Sequence, residues 1–225
     1  VTNERGDYRI FAGVFPFVGV FPFVGVFPTG DLGERIQALR QRCDAVTARI
    51  TAPHVTLAGT YWRTGPATPE NEAEAISRLQ AVQDRIEPFE LKLGGIGSFL
   101  PGARVIYLGV EPTGGLLAAR ELLLEALGPD KHRRFTPHLT LAMRLGQRDA
   151  RSLLARLRRS EWHSGRWSVP VDHLWLVQRG PGDPVWRYIQ RIDLAGDSDL
   201  TGFAGISSPS PRLVPRPSSR PGSTG

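Results

Sequence analysis

Cysteine and lysine are both scarce in this chain. Its 225 residues include a single cysteine, Cys43. That excludes an internal disulfide and any zinc cluster built on cysteine ligands, and it fits a reducing compartment. Only Lys92 and Lys131 are lysines among the 28 basic residues. Arginine therefore carries the formal charge of +6 and the pI near 10.2. GC-rich coding produces the same skew, so the charge admits a polyanionic partner without requiring one. Apolar residues are not scarce. At 40% of the chain, with 22% charged, they exclude disorder throughout and suffice for one large domain or two small lobes.

Charge is missing altogether from Ile10 to Thr29, a length that matches a membrane span. The composition of the stretch argues against one. Gly13-Val14-Phe15-Pro16-Phe17-Val18 recurs from Gly19 to Val24, and Gly25-Val26-Phe27-Pro28 opens a third copy. Three regularly spaced prolines and glycines make a continuous helix costly, and no small-residue cleavage site stands out. No membrane association is expected. Removing two copies leaves Tyr8 to Pro16 running into Thr29-Gly30-Asp31, a strand leading into a helix. Residues 13–28 thus read as a hexapeptide-repeat insertion in the first strand region. The period is even, so a slip by one copy keeps every side chain on its face, and more than one copy can serve as the strand. The surplus copy is expected to be an exposed apolar loop. At the other end, Ser, Pro and Gly supply more than half of Asp197 to Gly225. Residues 196–225 are expected to form a disordered tail behind a folded part spanning 1–195.

Between the ends, apolar spacing predicts four helices. The first carries Leu32, Ile36, Leu39 and Cys43, with Asp31 and Glu34 as a capping box. The second begins after Thr68-Pro69 and buries Ala73, Ile76, Leu79, Val82 and Ile86. A third holds Leu116 to Leu127 and stops at Gly128-Pro129. The fourth, capped by Asp149, carries Leu153, Leu154 and Leu157. Strands are expected at 89–93, 104–110, 166–177 and 185–193, and two more begin at His54 and His138. In order, strand–helix–strand–helix–strand occurs twice, followed by one extra strand. The expected architecture is α+β and bilobal: duplicated β-α-β-α-β lobes related by a pseudo-twofold axis around a central cleft.

The two halves also share a motif. Pro53-His54-Val55-Thr56-Leu57-Ala58 matches Pro137-His138-Leu139-Thr140-Leu141-Ala142 at five of six positions. In a strand, His and Thr two apart share one face, while Val55, Leu57, Leu139 and Leu141 share the other. The apolar face can pack under helices and leave His and Thr to line a cleft. Two imidazoles across a cleft suit metal-free phosphodiester chemistry, in which one takes a proton from the attacking hydroxyl or water and the other gives one to the leaving oxygen. Threonine hydroxyls can hold the nonbridging oxygens. A single His-x-Thr would be an ordinary half-buried histidine; two at equivalent places in a repeated fold point to use.

These paired motifs, the repeated unit and the closing pattern around Leu174 to Leu194 resemble the 2H phosphoesterases, and in particular the LigT-like 2′-5′ RNA ligases and RNA 2′,3′-cyclic phosphodiesterases. The resemblance covers about residues 8–195. It implies both motifs in a central groove and no metal or other cofactor. It also implies His54 as the acid for the 3′-oxygen leaving group, His138 as the base that activates water, and Thr56 and Thr140 as phosphate holders. The expected product is a 2′-phosphate, the substrate RNA or a nucleotide with a cyclic phosphate. The setting it suggests is a monomeric, cytoplasmic, bacterial RNA-processing hydrolase.

Many relatives carry Arg directly after the second motif, whereas this chain reads Ala142-Met143-Arg144; strand alternation would put Arg144 on the face of His138 and Thr140. Arg134 and Phe135 resemble a basic and aromatic approach to the site, though a loop arginine and a core phenylalanine are equal readings. Gly94-Gly95-x-Gly97 reads as a turn or bulge, Cys43 as core, and His163 and His173 as structural. His132 is a candidate near the cleft. Tyr61, Trp62, Trp186 and Tyr188 are candidates for base stacking, with core packing the default reading. The same site also suits 2′-5′ RNA ligation or another cyclic nucleotide phosphate. Beyond enzymes, a noncatalytic RNA-binding module or a copy crippled by the repeat remain alternatives.

Overall fold

The structure, a computed structural model, describes residues 7–8, 15–16, 21–59, 69–100, 102–130, 134–179 and 184–195. The expected tail at 196–225, His132, Tyr61 and Trp62 lie outside them. In chain order the elements are β1 (Asp7–Tyr8), β2 (Phe15–Pro16), β3 (Phe21–Val26), α1 (Gly30–Cys43), α2 (Ala45–Ile50), β4 (Val55–Ala58), α3 (Pro69–Gln83) and β5 (Phe89–Ser98). They continue with β6 (Ile106–Val110), α4 (Gly114–Leu127), β7 (His138–Ala142), α5 (Gln147–Leu157), α6 (Glu161–Ser164), β8 (Arg166–Val171), β9 (His173–Arg179) and β10 (Arg187–Asp193).

Eight strands form one antiparallel sheet in the order β10-β9-β3-β4-β7-β6-β5-β8. The order is symmetric about the seam between the two motif strands, so the duplication read in the sequence is a pseudo-twofold in space. The halves are also exchanged. β5, the last strand of the first repeat, pairs with β6, and β9 from the second repeat pairs with β3. Each lobe therefore contains strands from both repeats. At the seam, β4 and β7 share one antiparallel pair, Val55↔Leu139, so the sheet splays there.

One long apolar core lies behind the sheet. Val24, Val26, Val55, Leu57, Leu108, Leu139, Leu141, Leu174 and Leu176 join Ile36, Leu79, Leu116, Leu123 and Leu153 from the helices. The amphipathic stripes foreseen in α1, α3, α4 and α5 supply those contacts, except that Ala73 and Leu117 are exposed and Ala75 is buried in place of Ala73. Gly128 ends α4 at φ 87 and donates its amide to Leu124 O at 2.9 Å, as the Gly-Pro stop implied.

Several expectations need correction. The capping box at Asp31 is absent: Thr29 is the N-cap of α1 and makes no side-chain cap bond, because the helix already starts at Gly30. Asp149 falls inside the first turn of α5, whose N-cap is Gly146. The single strand expected at 166–177 breaks at Asp172 into β8 and β9, which sit on opposite lobes; a continuous alternating run conceals such a crossing. The glycine cluster is a bulge, with the β5–β6 register shifting between Leu93 and Ile96. Of the repeats, Phe21–Val26 occupies the strand slot, while Phe15–Pro16 pairs with Asp7–Tyr8 in a separate two-stranded sheet.

Candidate active site

The motif strands present their residues as alternation requires. Val55, Leu57, Leu139 and Leu141 are fully buried against the helices, and His54, Thr56, His138 and Thr140 are half-buried on the other face. Extending the Val55↔Leu139 register by one residue each way sets His54 level with Thr140, and Thr56 level with His138.

Both imidazoles are fixed in the same way. His54 Nδ1 lies 2.9 Å from Ala52 O, and His138 Nδ1 lies 2.7 Å from Thr136 O. A carbonyl only accepts, so each Nδ1 carries the proton and Nε2 is the nitrogen that exchanges one. The proline between each carbonyl and its histidine favours extended backbone in the residue before it, which helps turn that carbonyl toward the ring.

The two histidines have different walls. The His54 ring stacks on Phe23 with centroids 4.7 Å apart and lies 5.4 Å from Phe27. Trp186 packs edge-on to Phe23, and Tyr188 joins Phe27 to Trp175. Gly25 makes this possible: it pairs with Thr56, and a Cβ there would lie 2.6 Å from Val55 O and 3.0 Å from the Phe23 ring. His138 has Phe99 at 5.0 Å and Tyr107 at 5.1 Å. Burial pushes the His54 pKa down to about 4. The bond to Ala52 O opposes this, and the charges of Arg40 and His138 add to it. Without a ligand, His54 is neutral at pH 7.

Two buried arginines lie behind the motif strands. Arg40 of α1, 1% exposed, donates from Nε to Thr140 O at 3.0 Å and from its other nitrogens to Gln37 Oε1, Thr51 O and Thr47 O. All four acceptors are neutral, and burial lowers its pKa to about 10 against the pull of Asp44. Arg120 of α4, 8% exposed, donates to Leu57 O and, at 2.8 Å, to Asp130 Oδ2. Past the strand ends, Asp44 accepts from Met143 N and Arg144 N at 3.0 and 2.9 Å, and Asp130 accepts from Gly59 N at 3.3 Å. Burial alone would raise the Asp44 pKa. Its bonds from the Met143, Thr47 and Arg144 amides and the Thr47 hydroxyl outweigh that and hold it below the usual value.

The model of the 2′-5′ RNA ligase superfamily matches residues 28–183. The chain belongs to this superfamily, the 2H phosphoesterases. A Bacillus cytotoxicus protein named as a phosphoesterase is 31% identical over 146 residues, which are 64% of this chain and 80% of that one. A Bacillus anthracis protein of the same name is 30% identical over the same coverage. Among solved structures, E. coli LigT in complex with NADP+ shares the fold at a TM-score of 0.56 and 24% identity, over 78% of this chain and 98% of LigT. The Thermus thermophilus protein TT0787 does so at 0.54 and 21%, over 79% and 99%. The chain thus has the α+β fold seen in those two structures.

The structure treats the other nominated residues of this 2H phosphoesterase unequally. Strand β7 ends at Ala142, and the Met143 and Arg144 amides both turn to Asp44. Strict alternation therefore does not carry on to Arg144, whose side chain is exposed. The half-buried Phe135 ring lies over the Arg120 guanidinium at 3.9 Å, so one face is spent on a structural contact. Arg134 is exposed. His163 Nδ1 accepts from Ile96 N at 3.0 Å beside the bulge, and His173 pairs with Asp172. Cys43 is buried. Among the described residues no three His, Cys, Asp or Glu side chains gather as a metal site, and no helix is long and apolar enough to cross a membrane. The aromatic wall of Phe23, Phe27, Trp175, Phe99 and Tyr107 was missed in the sequence. Its signal was available: Phe23, Gly25 and Phe27 alternate on one face of the repeat.

Proposed function

We propose that this phosphoesterase opens 2′,3′-cyclic phosphate ends of RNA to 2′-phosphates without a metal ion. The observation that carries the reading is the pair of His-x-Thr motifs on the two central strands, joined at Val55↔Leu139, with both rings pinned through Nδ1. His138 Nε2 takes a proton from water as its oxygen attacks phosphorus. The bond from phosphorus to the 3′-oxygen breaks, and His54 Nε2 delivers a proton to that oxygen. The Thr56 and Thr140 hydroxyls donate to the nonbridging oxygens as charge builds on them. Since burial keeps His54 neutral in the empty groove, the substrate's own anion is what raises its pKa and loads the acid.

The aromatic wall beside His54 suits a nucleoside, and E. coli LigT, which shares the fold, has been seen with NADP+ and with 3′-AMP. Exposed Arg134 and Arg144 are assigned to the RNA backbone beyond the scissile phosphate, and Phe135 to shaping that approach. The folded unit is assigned to 1–195, with 13–28 as an insertion in its first strand region and 196–225 as a tail outside the chemistry. The test is hydrolysis of a short RNA ending in a 2′,3′-cyclic phosphate in EDTA. Formation of a 2′-phosphate supports the reading; a 3′-phosphate, or dependence on added metal, overturns it.

A further inference from the structure

We propose that Arg40 and Arg120 are positioning residues that set the spacing of the two histidines across the groove, each arginine holding the motif strand of the other repeat. The proposal rests on the phosphodiesterase reading above. A groove between β4 and β7 requires the sheet to open at its centre, and the two strands share one residue pair. Backbone groups beyond that pair still need partners, since a buried, unbonded amide or carbonyl is costly.

The helices supply them crosswise. α1 precedes the first motif, yet its Arg40 holds Thr140 O of the second. α4 precedes the second motif, yet its Arg120 holds Leu57 O of the first. The aspartates repeat the pattern: Asp44 takes the amide five residues after His138, and Asp130 takes the amide five residues after His54. Each contact gives a backbone group of a motif segment a partner outside the β4–β7 pairing, and none is made by a motif histidine or threonine side chain. A guanidinium is suited to this work because its planar, spaced donors reach several fixed acceptors at once; Arg40 serves four and Arg120 two.

The consequence is catalytic geometry. Proton transfer to and from the phosphate oxygens depends on the separation of two Nε2 atoms carried by strands that barely pair. Misplacement of reacting groups by about 1 Å can cost on the order of 100-fold in rate.

The experiment compares wild type with Arg40→Met, Arg120→Met, Arg40→Lys and Arg120→Lys on a cyclic-phosphate RNA, below each variant's melting temperature. Adenosine 2′-monophosphate binding is measured by calorimetry in parallel. The expected result is a kcat per folded molecule lower by about 100-fold in the methionine variants, with nucleotide affinity within about threefold of wild type. Lysine keeps the charge but not the spaced donors, so those variants recover folding and only part of kcat. They decide the matter if the methionine variants do not fold. Folded variants of either kind with wild-type kcat overturn the positioning role and leave the phosphodiesterase reading intact. A wild-type chain that does not turn over overturns both.

Discussion

At the scale of single residues, the packing around one histidine sets the proposed chemistry. The His54 pKa lies at about 4 when folded, against 6.5 for an ordinary histidine. Between those values the unfolded chain binds a proton that the folded chain refuses, so stability is full above pH 6.5 and is lost as pH falls toward 4. The loss approaches about 3 kcal/mol. Urea midpoints across that range should show it, and His54→Gln should flatten the slope; an unchanged slope would contradict the buried, neutral ring. The threonines give a second check. Thr56→Val or Thr140→Val removes one donor to the developing charge and should lower kcat about 100-fold while leaving the melting temperature near wild type. The identity and face of the four motif residues were legible in the sequence, because alternation and duplication are local patterns. The different rings around the two histidines were not, since Phe23, Phe27, Trp175 and Tyr188 meet only in the folded sheet.

At the scale of elements, β3 is the piece that shapes the first half-site. Gly25 lies opposite Thr56 and under the edge of Phe23, with room for no side chain. Gly25→Ala should therefore push Phe23 off His54 and destabilise the fold by about 1–3 kcal/mol. The matching readout is a drop in melting temperature together with a rise in the His54 pKa measured by NMR. A change in neither would mean the stacking is incidental. The four long helices were well read because each keeps one stripe toward the core, whereas the short α2 and α6 span too few residues for a stripe to show. The caps of α1 and α5 were misread because a favourable residue near a helix start does not decide where the first turn closes. The break at Asp172 was hidden for a related reason: β8 and β9 each keep an apolar face, and no residue type announces that the chain changes lobes.

At the scale of the molecule, the pseudo-twofold was legible from the repeated element order and the paired motif. The exchange of strands between repeats was not, because antiparallel neighbours are chosen by packing rather than by sequence order. The repeat insertion tests this view of the whole sheet. Deleting residues 17–28 would bring Phe11, Gly13 and Phe15 to the places of Phe23, Gly25 and Phe27, with Ala12 in place of buried Val24. The shortened chain should fold with a loss of roughly 2 kcal/mol for the smaller core residue, and its kcat should stay close to that of the full chain. Loss of activity in a folded deletion variant would mean that the extra copies do more than fill the strand.

In the proposed reaction one site, built from both repeats, acts on phosphorus through its two histidines. The most direct test is the turnover of cyclic-phosphate RNA by His54→Ala and by His138→Ala, each confirmed as folded. Both should fall by at least about 1,000-fold, because neither imidazole can do the other's half of the proton transfer. Wild-type turnover in either variant would contradict the account.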